Sequence, residues 1–159
     1  MKKLGAVFAL LALATLPAAA RAPQTSESCP VAYEGRAPEK VLEDHRGALL
    51  AGNVELDVLC NYAPDAVVIS DQGIDSGREA IRIALKRLVA AFEGVVPAVR
   101  SQVIQPLSDG GHMARVLFSM QTPCVDLADG VDTYLIRGGR ILAQTAHASP
   151  SFKCAPPQS

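Results

Sequence analysis

Three side chains able to hold or move a proton stand out by where they fall in the apolar pattern: Asp132, His45 and Asp71. Asp132 lies in the run from Gly130 to Ser149, GVDTYLIRGGRILAQTAHAS, which reads as a two-stranded hairpin around Gly138-Gly139. Two adjacent glycines supply the positive backbone angles of a tight primed turn. Pairing Arg137 with Arg140 sets Asp132 opposite Thr145. Strand alternation then gathers Asp132, Tyr134 and Ile136 on one face with Ile141, Ala143, Thr145 and His147. The other face carries Val131, Thr133, Leu135, Leu142, Gln144 and Ala146. An ionised, unpaired carboxylate on the first face would cost roughly several kcal/mol. Asp132 must therefore be paired, protonated or wet, and a protonated acid in a pocket is a hydrogen-bond donor to a substrate oxygen. On this reading Tyr134, Thr145 and His147 are the ligand-binding candidates beside it.

His45 falls on the apolar face of a helix that opens at Pro38, where an imidazole is either a bonded core group or a pocket-lining proton acceptor. Asp71 sits in the turn Asp71-Gln72-Gly73 after a strand, as a turn former or a general base. Ser70 has no oxyanion apparatus in the pattern around it. His45, Asp132 and His147 are of metal-ligand type, but nothing in their spacing fixes a geometry, so no metal is expected. The chain contains no glycine-rich phosphate loop, nucleophile elbow or zinc-protease motif, and no cofactor is implied.

The elements that must position these groups follow in order. A helix from Pro38 to Ala51 presents Val41, Leu42, His45, Ala48 and Leu49 on one face and ends at Gly52-Asn53. A short helix through Leu56 and Leu59 leads to a strand from Ala66 to Ser70. Ser76 and Glu79 suggest a capping box for a third helix with a core stripe of Ile81, Leu85, Leu88, Val89 and Phe92. Strands over 98–107 and 113–121 and the 130–149 hairpin complete a four-strand meander. Helices then cover one face of a curved antiparallel sheet, an α+β arrangement.

At the N-terminus, Lys2 and Lys3 precede an apolar run from Leu4 to Leu16 and a small-residue stretch, the layout of an export signal. The run is too short to span a bilayer, so no stable membrane insertion is expected. Cleavage after Ala22, or alternatively after Ala20, leaves a domain over 38–150, an irregular arm over 23–37 and a tail over 151–159. Of 15 basic residues, Lys2, Lys3 and Arg21 fall in the leader, so 12 face 16 acidic ones in the mature chain. That balance, with no basic cluster, argues against nucleic acid as a partner. A periplasmic or secreted location makes disulfides the default for Cys29, Cys60, Cys124 and Cys154. Three pairings are possible. Cys124 ends one strand and Cys154 follows the last, at the same end of the meander, which favours Cys124 with Cys154 and leaves Cys29 with Cys60. Intervals of 30, 63 and 29 residues lack the close pairs of a zinc site.

The segments LLAGNVELDVLCNYAPDAVVISDQG, SGREAI and GVDTYLIRGGRILAQT resemble the nuclear transport factor 2-like (NTF2-like) superfamily, in its SnoaL-like and ketosteroid isomerase-like branches. The resemblance covers about residues 38–150. It implies a cone of sheet and helices with an internal pocket, used across the superfamily by isomerases, dehydratases, cyclases, epoxide hydrolases, carriers and association domains. Carried over residue by residue, Asp132 matches the protonated acid of the isomerase pattern. His45 stands where that pattern has a phenol, and Ser70 or Asp71 stands where it has the base. The expected function is binding of a small, mostly apolar molecule with isomerase-, lyase- or cyclase-type proton transfer. The alternative is a noncatalytic module that forms a homodimer through the opposite sheet face.

Overall fold

The computed structural model describes Cys29, residues 33–92 and residues 94–154. The export signal, its cleavage site, most of the arm and the last five residues of the tail lie outside them. Helices α1 (Pro38–Leu50) and α2 (Val54–Asn61) lead into strand β1 (Tyr62–Ser70). Strand β2 (Gly73–Ser76), helix α3 (Gly77–Ala91), and strands β3 (Ala98–Pro106) and β4 (His112–Gln121) follow. Strands β5 (Val125–Arg137), β6 (Arg140–His147) and β7 (Pro150–Phe152) end the described chain. The strands form one sheet in the order β2-β1-β6-β5-β4-β3, with β7 paired to the first part of β5. All pairs are antiparallel except β1 with β6, which makes the sheet mixed.

Pro38 starts α1 at a position whose missing N–H costs nothing, and Gly52, at φ +69°, ends it. Asn53 caps α2 by accepting from the Leu56 N–H. Register breaks in β1, β3, β4 and the β5–β6 ladder bend the sheet, because each extra residue increases the local twist. The helices pack into the resulting concavity. Tyr62, Ile81, Ile136, Ile141 and Val41 are fully buried at their junction. The core is thus built from both helical and strand periodicities.

Several sequence expectations change. The β5–β6 register holds at the turn (Arg137 with Arg140, Ile136 with Ile141) and then slips, so Leu135 faces Ala143 and Leu142 is the extra residue. Asp132 therefore lies opposite Ala146, not Thr145, and Gln144 turns inward opposite Tyr134 while Thr145 turns out. Leu142, expected on the outer face, packs against the core. Alternation read from the sequence carries no signal for an inserted residue. Residues 126–130 belong to β5, which is extended by pairing with β4 and with β7. After the turn at Asp71 and Gln72, residues 73–76 form a strand that pairs back on β1. Ser76 makes no capping bond, the Glu79 carboxylate pairs with Arg82, and Leu88 stays 46% exposed rather than in the core. In α2 the buried face is Val54, Asp57, Val58, Cys60 and Asn61, one step round from Leu56 and Leu59.

Both cysteine pairings agree with the strand-end argument: Cys124 is bonded to Cys154 and Cys29 to Cys60, with Cα separations of 4.9 and 5.2 Å. The first closes the β5–β7 pair. The second ties the start of the described chain to α2.

Candidate functional site

Register places two rows of side chains across the concave face. The deeper row runs Val68, Gln144, Tyr134, Ala114 and Ile104, and its first four members are buried. The next row runs Ser70, Ala146, Asp132, Val116 and Gln102. Here Gln102 is exposed and Ser70 and Asp132 are half-buried, so this row lies toward the open side of the cone. Asp132 stands at the boundary between solvent and interior.

His45 enters the deeper layer from α1. Its Nδ1 lies 3.0 Å from both carboxylate oxygens of Asp57 on α2, with His45 4% and Asp57 0% exposed. Asn61, one helical turn beyond, donates Nδ2 to Asp57 Oδ1 at 2.6 Å. The imidazole meets the rings of Tyr62 and Tyr134 edge-on, at centroid distances of 5.6 and 5.7 Å. Tyr62 donates its hydroxyl to Gln144 Oε1 at 2.5 Å, and Tyr134 donates to Asp132 Oδ2 at 3.0 Å. Among the described residues no buried side-chain N or O lacks a partner. The cluster is therefore a satisfied polar network inside an apolar wall.

Burial opposes charge on His45, but the Asp57 carboxylate, by attraction and hydrogen bond, overrides it and holds the imidazolium above its ordinary value of 6.5. Desolvation pushes Asp132 above its ordinary 3.8, against the opposing pull of the Tyr134 hydroxyl and His45. Burial raises both Tyr62 and Tyr134 well above 10.0, so both phenols stay protonated donors. Asp57 has the same relation to His45 that a carboxylate has in a proton-transfer dyad: it takes Nδ1–H and leaves Nε2 as the nitrogen that can exchange a proton.

Of the side chains singled out from the sequence, the fold brings together His45, Asp132 and Tyr134. It does not bring Asp71, His147 or Thr145 to them. His147 Nδ1 lies 2.8 Å from Asp71 Oδ1, and both side chains are exposed, at 63% and 59%. The His147 contact holds the Asp71 carboxyl below its ordinary range, which suits an ion pair better than a base. Thr145 pairs with Thr133 on the convex face. Asp57, Asn61, Tyr62 and Gln144 were missed. Asp57 had a legible signal, since it shares a helical face with Val54, Val58 and Asn61; Gln144 had none, because the bulge alone turns it inward. A groove of about 450 Å³ lies on the convex face, lined by Val103, Gln105, Met113, Arg115 and Thr133. A second concavity of about 280 Å³ lies beside the β5–β6 turn, near Arg36 and His112. Neither is lined by His45, Asp57 or Asp132. No group of three metal-ligating side chains occurs among the described residues.

Neither a family model nor a curated protein matches the chain. Solved structures do. A scytalone dehydratase-like protein from Novosphingobium aromaticivorans superposes with a TM-score of 0.62 at 16% identity, over 76% of this chain and 88% of that one. An NTF2-like protein of unknown function from Burkholderia xenovorans gives 0.55 at 19% identity, over 74% and 86%. The Orange Carotenoid Protein of Anabaena, bound to canthaxanthin, gives 0.59 at 18% identity, over 71% of this chain and 36% of that one. The chain has the nuclear transport factor 2-like fold: a curved, unclosed mixed sheet packed on three helices.

Proposed function

We propose that this is an exported domain that binds a small, mostly apolar, uncharged or weakly acidic molecule on the open side of the His45–Asp57–Asp132 cluster and transfers a proton on it. The observation that carries the reading is the placement of His45 Nδ1 at 3.0 Å from both oxygens of a fully buried Asp57, with Asp132 at the solvent boundary joined to the cluster through Tyr134. Above its raised titration midpoint His45, oriented by Asp57, is neutral and takes the proton through Nε2. Asp132, kept neutral by burial, donates a hydrogen bond to the oxygen that gains charge. Such chemistry is of the isomerase, lyase or cyclase type and needs no cofactor. The likeness to a scytalone dehydratase-like protein and to a carotenoid-binding protein supports an interior that receives apolar molecules. Two disulfides support an oxidising compartment such as the periplasm or the extracellular space.

The test is a titration with a naphthol, an apolar weak acid, followed by carboxyl and imidazole NMR. Shifts at Asp132 and His45, with the His45 shift lost in Asp132→Leu, are the expected result. Perturbation confined to the convex groove around Val103 and Met113 would refute it. That groove favours a second role, homodimer formation. Val103 is 55% and Met113 38% exposed on a face shared with Thr133 and Leu135, an apolar surface suited to self-complementary packing.

A further inference from the structure

Arg36 belongs to the segment before α1 that the sequence reads as an irregular arm, yet its guanidinium is 5% exposed. Nη1 donates to Asp44 Oδ2 on α1 at 2.5 Å and to Asn61 Oδ1 at the end of α2 at 2.9 Å. Nη2 donates to the carbonyls of Cys60 and Gly139, each at 3.1 Å, and Nε donates to the Tyr33 carbonyl at 3.0 Å. The guanidinium also stacks 4.5 Å from the Tyr33 ring. One side chain thus joins α1, α2 and the β5–β6 turn. His45 is on α1, one residue after Asp44; Asp57 is on α2, one turn before Asn61; Asn61 bonds both Arg36 and Asp57.

We propose that Arg36 is a positioning residue for the His45–Asp57 pair: its planar fork sets α1 against α2 so that Asp57 stays on His45 Nδ1. The inference rests on the proton-transfer reading of that pair. A carboxylate and an imidazole on different helices keep a 3.0 Å contact only while the helices keep their separation, and no other described side chain hydrogen-bonds to all three elements. Arg suits the place because a rigid fork satisfies several acceptors at once; a lysine ammonium is a point charge.

The groups facing His45 are Asp57 and Asn61 from α2, the Tyr62 phenol from β1, and Asp132 and the Tyr134 phenol from β5, with Arg46 on its own helix. This inventory gives positioning and charge opposite signs. If Arg36 acted only as a nearby positive charge, its removal would raise the His45 titration midpoint, and lysine would restore it. If it positions the pair, its removal loosens the Asp57 contact and the midpoint falls.

The experiment is an imidazole ¹⁵N titration of the full-length mature protein, disulfides intact, with His45 assigned by comparison with His45→Gln. Arg36→Gln and Arg36→Lys are both expected to lower the His45 midpoint by about one pH unit, the low end of what an adjacent opposite charge contributes. The neutral ring should also lose its single Nδ1–H tautomer. Gly139→Ala puts a Cβ 2.7 Å from the Arg36 backbone N, so it displaces the clamp while keeping the charge, and it serves if the Arg36 variants fail to fold. It is expected to lower the midpoint, whereas mere retreat of a positive charge would raise it. An unchanged or raised midpoint in the folded variants, or full rescue by lysine, overturns the proposal. A lowered midpoint in a protein that nevertheless fails to engage naphthol at His45 would uphold Arg36 as a positioning residue and refute the proposed function alone.

Discussion

Asp132 and Asp57 are both aspartates in an apolar interior, and their surroundings differ. Asp57 is fully buried between two partners, His45 Nδ1 and Asn61 Nδ2. Asp132 accepts from one phenol at a half-open position, and desolvation raises its pKa above the ordinary value. A carboxyl whose folded pKa is raised adds stability below its unfolded value of 3.8, and that contribution is lost as pH rises through the folded pKa. Asp132→Asn is therefore expected to preserve or increase stability at neutral pH while weakening naphthol binding. Comparative urea unfolding and a carboxyl ¹³C titration check both halves. His45 obeys the same sign: its raised folded pKa contributes stability fully present below 6.5 and lost as pH rises through the folded value. Asp57→Asn strands the imidazolium without its anion, so it should cost about 3 kcal/mol or more near pH 6 and markedly less above the His45 midpoint. Paired denaturation curves at acidic and alkaline pH would show equal losses if the pair were only a neutral hydrogen bond.

At the level of elements, the bulge at Leu142 and the glycine turn before it decide what the hairpin presents to the interior. Gly139 has φ +75°, and a Cβ there would lie 2.7 Å from the Arg36 backbone N. Gly139→Ala meets both a left-handed backbone and a backbone contact that cannot swing away. Its expected cost is about 2 kcal/mol or more, with His45 perturbed because the Arg36 segment must retreat. Gly138→Ala has a similar angle but open space, and thermal unfolding should rank it as the milder change. The inward turn of Gln144 depends on the same slip in register. It places an amide against Tyr62 where uninterrupted alternation would bring Thr145 inward.

For the whole molecule, the two disulfides fasten the domain at opposite places, one joining β7 to β5 and one joining the arm to α2. Replacing Cys124 and Cys154 together by serine should cost about 2–4 kcal/mol, for a loop of some 30 residues. Nonreducing peptide mapping of the wild type should recover Cys124 with Cys154 and Cys29 with Cys60. The convex face is the proposed homodimer surface. Leu135→Asp, placed there with its side chain half-exposed, should shift sedimentation from dimer to monomer without loss of the fold. A wild type that sediments as a monomer at micromolar concentration would remove that role.

The sequence by itself determined the order of the three helices and of strands β1, β3, β4, β5 and β6, the α+β class, the meander, the tight Gly138-Gly139 turn and the inward face of Asp132, Tyr134 and His45, and it favoured both observed cysteine pairings. Each of these is written in local periodicity, turn chemistry or strand order, which survive without knowledge of distant contacts. Tertiary structure alone decided the rest. An unpatterned bulge turned Gln144 in and Thr145 out; the parallel β1–β6 pairing carried Asp71 and His147 to an exposed edge; and the crossing of α1 and α2 put Asp57 on His45. Arg36 reads as part of an irregular arm because four of its five acceptors lie on α1, α2 and the β5–β6 turn, 8 to 103 residues away in the chain. Local pattern tells which face a side chain occupies. Which partner it meets there is settled by how separate elements pack, and in this protein the proton-holding groups are defined by those partners.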